Sequence, residues 1–267
     1  MKAGVIQLTS GEVLEENLER AGHYIDRAAS EGCKLVCLPE VFSLFTTDEK
    51  KYGAAQDPQD NQALKFLQSK ASEHKMWIHG GSINVKGDEE GKVFNRSSMI
   101  NPQGEVVVEY DKIHLFDVNL NNGGVYKESL RTIPGVSTQI CDTDFGKVGM
   151  SVCYDLRFPE LYREMSQEGA RVLMVPAAFT RKTGQDHWEV LLRARAIENQ
   201  AFLLAANQSG LHQNGLKTWG HSMIIDPWGR ILAEIADGEG LITAELDFKI
   251  LEDFRSSMPC LEHRRIL

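Results

Sequence analysis

The stretch Lys147-Val-Gly-Met-Ser-Val-Cys-Tyr-Asp-Leu-Arg-Phe-Pro-Glu160 carries the chain from an apolar strand into a helix by way of a thiol. Lys147–Val152 is short and apolar, which predicts a strand. Pro159 suits the first position of the following helix, where its missing N–H leaves nothing unsatisfied. Cys153 therefore falls on a sharp strand-to-helix bend, projecting from a sheet edge with backbone N–H groups beside it. A cysteine so placed is either a packed, inert thiol or a nucleophile, and the stretch by itself leaves both open.

Two further strand ends bear on the choice. Leu35-Val-Cys-Leu-Pro-Glu40 is an apolar strand that finishes in a carboxylate and runs on into Val41-Phe42-Ser43. Glu40 could be a solvated tip, but its apolar flanks favour partial desolvation and a role as proton carrier. Tyr110-Asp-Lys-Ile-His-Leu-Phe-Asp117 follows the predicted strand Glu105–Tyr110 and embeds Lys112 among aromatic and apolar residues. A structural ion pair between Glu40 and Lys112 is the plain reading of those two. With Cys153 they also supply what acyl transfer requires: a proton carrier, a fixed cation and a nucleophile.

The same alternation runs through the chain. Strands are expected at Lys2–Leu8, Lys34–Leu38, Trp77–Ile83, Arg171–Val175 and Phe202–Ala206. Helices are expected at Glu15–Ser30, Gln62–His74, Pro159–Glu168 and Asp186–Asn199. Asn84–Gly91 reads as a polar turn. Hairpins follow in each half, Val93–Ile100 with Glu105–Tyr110 and Thr218–Ile225 with Ile231–Ile235. No long linker or repeat interrupts them, so residues 1–267 are expected to form one α/β domain. Two sheets packed face to face, with helices on both outer faces, would bury every apolar face in the pattern.

Composition narrows the classes. Lys plus Arg is 29 against 38 for Asp plus Glu, a net charge of −9. That disfavours nucleic acid and anionic membrane as partners. Apolar runs such as Met1–Leu8 are far too short to span a bilayer, and no export signal opens the chain. The five cysteines are odd in number and irregularly spaced, and no zinc-binding pattern is present. A reducing cytoplasm is the expected location. The sequons Asn95-Arg-Ser97 and Asn207-Gln-Ser209 are read as coincidental.

Leu38-Pro-Glu40, Asp111-Lys-Ile-His-Leu115 and Cys153-Tyr-Asp-Leu-Arg-Phe-Pro-Glu160 resemble the Glu-Lys-Cys blocks of the nitrilase (carbon–nitrogen hydrolase) superfamily. His187–Gln200 and Trp219–Gly229 resemble its later blocks, and the likeness runs over nearly the whole chain. It implies a four-layer α-β-β-α sandwich of the nitrilase type. It also implies catalysis by Glu40, Lys112 and Cys153, with Glu128 as a second acidic residue that positions the lysine. The backbone N–H of Tyr154 would join Lys112 at the oxyanion. Relatives tend to carry a Pro-Gly turn before this second acid, whereas this chain reads Asn121-Asn-Gly-Gly124.

The closest resemblance is to the deaminated-glutathione amidases, with the ω-amidases nearly as similar. Arg157, Phe179 and Thr183 match the substrate-binding positions of relatives that act on 2-oxo acid amides. The implied activity is a thiol amidase that needs no cofactor or metal and converts a small carboxylate-bearing amide to acid and ammonia. Deaminated glutathione is the expected substrate, ahead of 2-oxoglutaramate. An N-carbamoyl or nitrile hydrolase and a non-catalytic scaffold are the other readings; an intact triad weighs against the last. Family habit implies a homodimer. His114, His187, Trp188 and His221 are read as structural, and Glu189 with Arg193 as an ordinary helical ion pair.

Overall fold

The structure is a computed structural model that describes residues 1–120 and 124–266. Its first sheet places Lys2–Gln7, Leu35–Cys37 and Trp77–His79 side by side and parallel. Val93–Ile100 joins them antiparallel, flanked by Ile83–Lys86 and Val106–Asp111. Gly240–Glu245 returns to pair antiparallel with Lys2–Gln7. The second sheet has a parallel centre of Gly146–Met150, Val172–Ala177 and Phe202–Asn207. Ile140–Thr143 closes one edge, and Ser222–Ile225 with Ile231–Ile235 the other.

The two-residue period of a strand explains why these sheets stack. On the first sheet Ala3, Val5, Leu35 and Cys37 join one buried cluster with Val148, Met150 and Met174 of the second. The alternate residues Ile6, Leu8, Val36 and Leu38 pack instead with Ala21, Ile25 and Leu67 of the helices Leu14–Ser30 and Gln62–His74. Val172–Ala177 is buried along its whole length, as a parallel strand covered on both faces should be. The helices Pro159–Gln167 and Arg181–Asn199 bring Leu161, Met165, Trp188 and Leu192 to that sheet. The layers are therefore helix, sheet, sheet, helix. Buried polar ties also link the halves: the Ser222 N–H donates to Gln7 Oε1 at 2.9 Å, and Gln208 Nε2 to the Glu40 carbonyl at 2.9 Å.

Several boundaries differ from those expected. The strand read as Trp77–Ile83 breaks at Gly80-Gly81-Ser82, where Gly81 takes φ +59 and a Cβ would collide with the Pro39 carbonyl. The polar turn expected from Asn84 accordingly starts later, since Ile83–Lys86 is a strand. The helix expected from Asp186 begins at Arg181, started by Thr180, whose side chain accepts the Thr183 N–H. Lys217–Trp219 pairs with Ser209–Leu211 and stays outside the hairpin read from Thr218. The helices Asp48–Ala54 and Phe248–Ser257 were not anticipated. Most of the Asn121–Gly124 turn lies outside the described residues.

Candidate active site

Parallel strands separated by helices end on the same side, and each sheet delivers residues there. Glu40 follows Leu35–Cys37, Cys153 follows Gly146–Met150, and Ala178 follows Val172–Ala177. Lys112 follows Val106–Asp111 from the first sheet. All four line one cavity of about 330 Å³ between the sheets' ends.

The turns that carry these residues are strained. Val41, next to Glu40, has φ 47, and Cys153 has φ 51, both in the left-handed region that side chains with a Cβ rarely adopt. The Val41 N–H donates to Ser82 Oγ at 3.0 Å, so the Gly81-Ser82 break supports the Glu40 turn. Asp155 supports the other. Fully buried, it accepts from the Val152 N–H at 2.8 Å and Tyr110 Oη at 2.7 Å on one oxygen. Its other oxygen meets the His114 N–H at 3.0 Å and His114 Nδ1 at 2.7 Å. One carboxylate thus ties the cysteine bend to the Tyr110–His114 segment that carries Lys112. His114 also stacks on Phe158, with ring centroids 3.6 Å apart.

Lys112 is only 2% exposed and sits between two carboxylates. Its Nζ lies 3.0 Å from Glu40 Oε1 and 2.9 Å from Glu128 Oε2. Burial alone would lower the ammonium's pKa, but the charges of Glu128, Glu40 and Cys153 raise it well above the usual lysine value. Burial likewise opposes the charge on Glu128, yet Lys112, Lys51 and the Phe116 N–H at 2.7 Å hold its pKa below the carboxylate norm. Glu40 is oriented by three donors: Lys112, Asn95 Nδ2 at 2.8 Å and the Ala178 N–H at 2.7 Å. The Cys153 thiol lines the same cavity as Glu40. Burial first, then the Glu40 charge, push that thiol well above its ordinary pKa, against the pull of Lys112 and the Ala178 N–H. The thiol is therefore neutral at neutral pH, with the Glu40 carboxylate in the same cavity.

Tyr154, Phe179 and Thr183 also line the cavity. Arg157 stands behind that wall. Its guanidinium lies 5.1 Å from the Phe179 ring centroid and 5.8 Å from that of Tyr154, and is 3.2 Å from His187 Nδ1. Arg157 is not among the residues that line the cavity. His187, read as a structural residue, is exposed, while Trp188 is buried. Asn95, Asp155 and the Ala178 N–H were missed as site groups. Asp155 belonged to a quoted block without a role, and Asn95 drew notice only as a sequon. Buried on Val93–Ile100, Asn95 faces Glu40 rather than solvent.

A thiol, a buried carboxylate and a buried cation on one cavity are the groups that a cysteine-dependent hydrolase uses. The chain belongs to the carbon–nitrogen hydrolase family, whose model matches residues 2–256, and it is an amidase of that family. It is 44% identical to a deaminated glutathione amidase of Synechocystis over 98% of this chain and 97% of that protein. Against the ω-amidase NIT3 of Saccharomyces cerevisiae it is 37% identical, over 99% of this chain and 93% of that one. The crystal structure of yeast Nit3, a nitrilase-superfamily member, superposes with TM-score 0.90 at 33% identity, covering 100% of this chain and 97% of that one. The Caenorhabditis elegans NitFhit protein gives TM-score 0.89 at 34% identity; this chain is covered over 99% and spans 65% of NitFhit.

Proposed function

We propose that Cys153, Glu40 and Lys112 hydrolyse the amide of deaminated glutathione through a thioester. The observation that carries this reading is that Cys153 and Glu40 line one cavity, with Glu40 Oε1 3.0 Å from the buried Lys112 ammonium. Glu40 takes the thiol proton as sulfur attacks the amide carbon. Charge that develops on the carbonyl oxygen is met by Lys112 and by the Tyr154 N–H, which lies in the first turn of the short helix Cys153–Arg157 and lacks a partner within that helix. Glu40 then gives its proton to the amine as the C–N bond breaks. Water attacks the thioester as Glu40 takes its proton, and Glu40 returns that proton to sulfur as the C–S bond breaks, restoring the thiol. Glu128 keeps Lys112 charged throughout, so Glu40 alone cycles.

Tyr154, Phe179 and Thr183 form the pocket for the acyl half, and Arg157 swings from His187 to meet its carboxylate. Deaminated glutathione joins its 2-oxo acid half to cysteinylglycine by a secondary amide. Its amine product is therefore that dipeptide, and ammonia is released only from a primary amide such as 2-oxoglutaramate. Residues 1–267 act as one domain without metal or cofactor, in the cytoplasm, where the five free cysteines remain reduced. A homodimer forms through the outer face of the helix Arg181–Asn199, where Val190 is 67% exposed and Ile197 lies beside the turn of Trp228, 56% exposed.

Specificity constants for the two amides test the substrate, with dipeptide and ammonia measured separately. A preference for deaminated glutathione is expected; a clear preference for 2-oxoglutaramate would make the enzyme an ω-amidase.

A further inference from the structure

Three lysines line the cavity, and two are already engaged. Lys112 is held by Glu40 and Glu128, and Lys51 by Asp48 at 2.8 Å. Lys217 has no ion pair or side-chain hydrogen bond among the described residues, although it lies on the same wall. Three positions earlier, Asn214 also lines the cavity. Its Oδ1 accepts the Leu216 N–H at 3.0 Å, which fixes the amide's orientation and leaves the buried Nδ2 without an acceptor. A buried donor left unpaired is costly, and a ligand that supplies the acceptor recovers that cost.

The segment that carries these two donors is anchored. Lys217–Trp219 pairs with Ser209–Leu211, and His212 is clamped between the Ser10 carbonyl at 2.8 Å and Thr218 Oγ1 at 2.7 Å. Glu49 also lines the cavity, and no lysine pairs with it among the described residues. A free ammonium and an unpaired amide N–H on one hairpin end suit a carboxylate. Lys217 is solvent-exposed and lines the cavity, so it stands at the mouth, and under the function proposed above the longer half of the substrate extends towards it. In deaminated glutathione that half is the amine half, and it ends in the glycyl carboxylate.

We infer that Lys217, with Asn214, binds a carboxylate on the leaving amine and so selects amides of peptide-like amines. The inference rests on the function proposed above, and it names the residues that separate the two candidate substrates. 2-Oxoglutaramate has the acyl carboxylate but none on its amine side. The experiment is the ratio of kcat/KM for deaminated glutathione to that for 2-oxoglutaramate, in the parent, Lys217→Met and Lys217→Glu. The ratio is expected to fall about tenfold in Lys217→Met, mainly through KM, and further in Lys217→Glu. A ratio unmoved by both substitutions would overturn the assignment, as would equal losses on both amides, which would place the cation at the acyl carboxylate. A parent enzyme that hydrolyses neither amide would instead overturn the functional reading, and this inference with it.

Discussion

Burial and the neighbouring Glu40 charge raise the Cys153 thiol's pKa while the charges around Lys112 keep it an ammonium, and this division of charge has a measurable consequence. The thiol's pKa is raised, so the neutral form dominates below the ordinary cysteine range and the nucleophilic thiolate grows only as pH rises. Alkylation of Cys153 by iodoacetamide is therefore expected to accelerate steadily from pH 6 to beyond pH 9. A rate already level at neutral pH would show a preformed thiolate and contradict the assignment. Glu40→Gln removes the proton acceptor and should lower turnover by about two orders of magnitude or more. A near-parent rate would remove Glu40 from the mechanism. At this scale the sequence was most informative where strand ends met short polar signals: Glu40, Lys112 and Cys153 were all legible. Glu128 was visible only through resemblance, because an acid in a loop has no local mark. Asn95 was hidden by its place within a strand, where its partner depends on packing between distant segments.

Among the elements, the bend at Cys153 depends on Asp155 more than on the strand before it. Each Asp155 oxygen receives two polar partners, and one partner pair belongs to the segment that presents Lys112. Asp155→Asn puts an NH₂ where two donors now point, leaving buried groups unpaired. It is expected to cost about 1–3 kcal/mol of stability and to lower kcat more than it raises KM. Urea unfolding and steady-state kinetics check both, and parent values in the two would contradict this positioning role. Helices with a clear apolar stripe, such as Gln62–His74, were read from sequence to the residue. The break after Trp77–His79 was not, although Gly80-Gly81 marks it: the reason for the break is the Pro39 carbonyl, a contact made across the sheet. The early start at Arg181 was obscured by Gly184, a poor helix former whose missing Cβ leaves room for Trp219.

On the scale of the whole molecule, two stacked sheets bring the ends of their strands to one cavity, so neither half holds the site alone. The alternation of strands and helices was legible from their periods and the four-layer arrangement came from the family resemblance, whereas the pairing of Gly240–Glu245 with Lys2–Gln7 joins segments far apart in sequence. Among the described residues no helix is long and apolar enough to cross a membrane. Val190, Ile197 and Trp228 are exposed apolar residues, the ones assigned above to a dimer contact. Sedimentation should find a dimer in the parent and a monomer in Trp228→Asp; a monomeric parent would dismiss this interface. The central claim is covalent, and acid-quenched mass spectrometry of the enzyme during turnover tests it most directly. The account expects the acyl half of the substrate on the Cys153 peptide, and neither adduct nor turnover in Cys153→Ala. Turnover by Cys153→Ala at the parent rate, with Cys153 unmodified in the working parent enzyme, would contradict it.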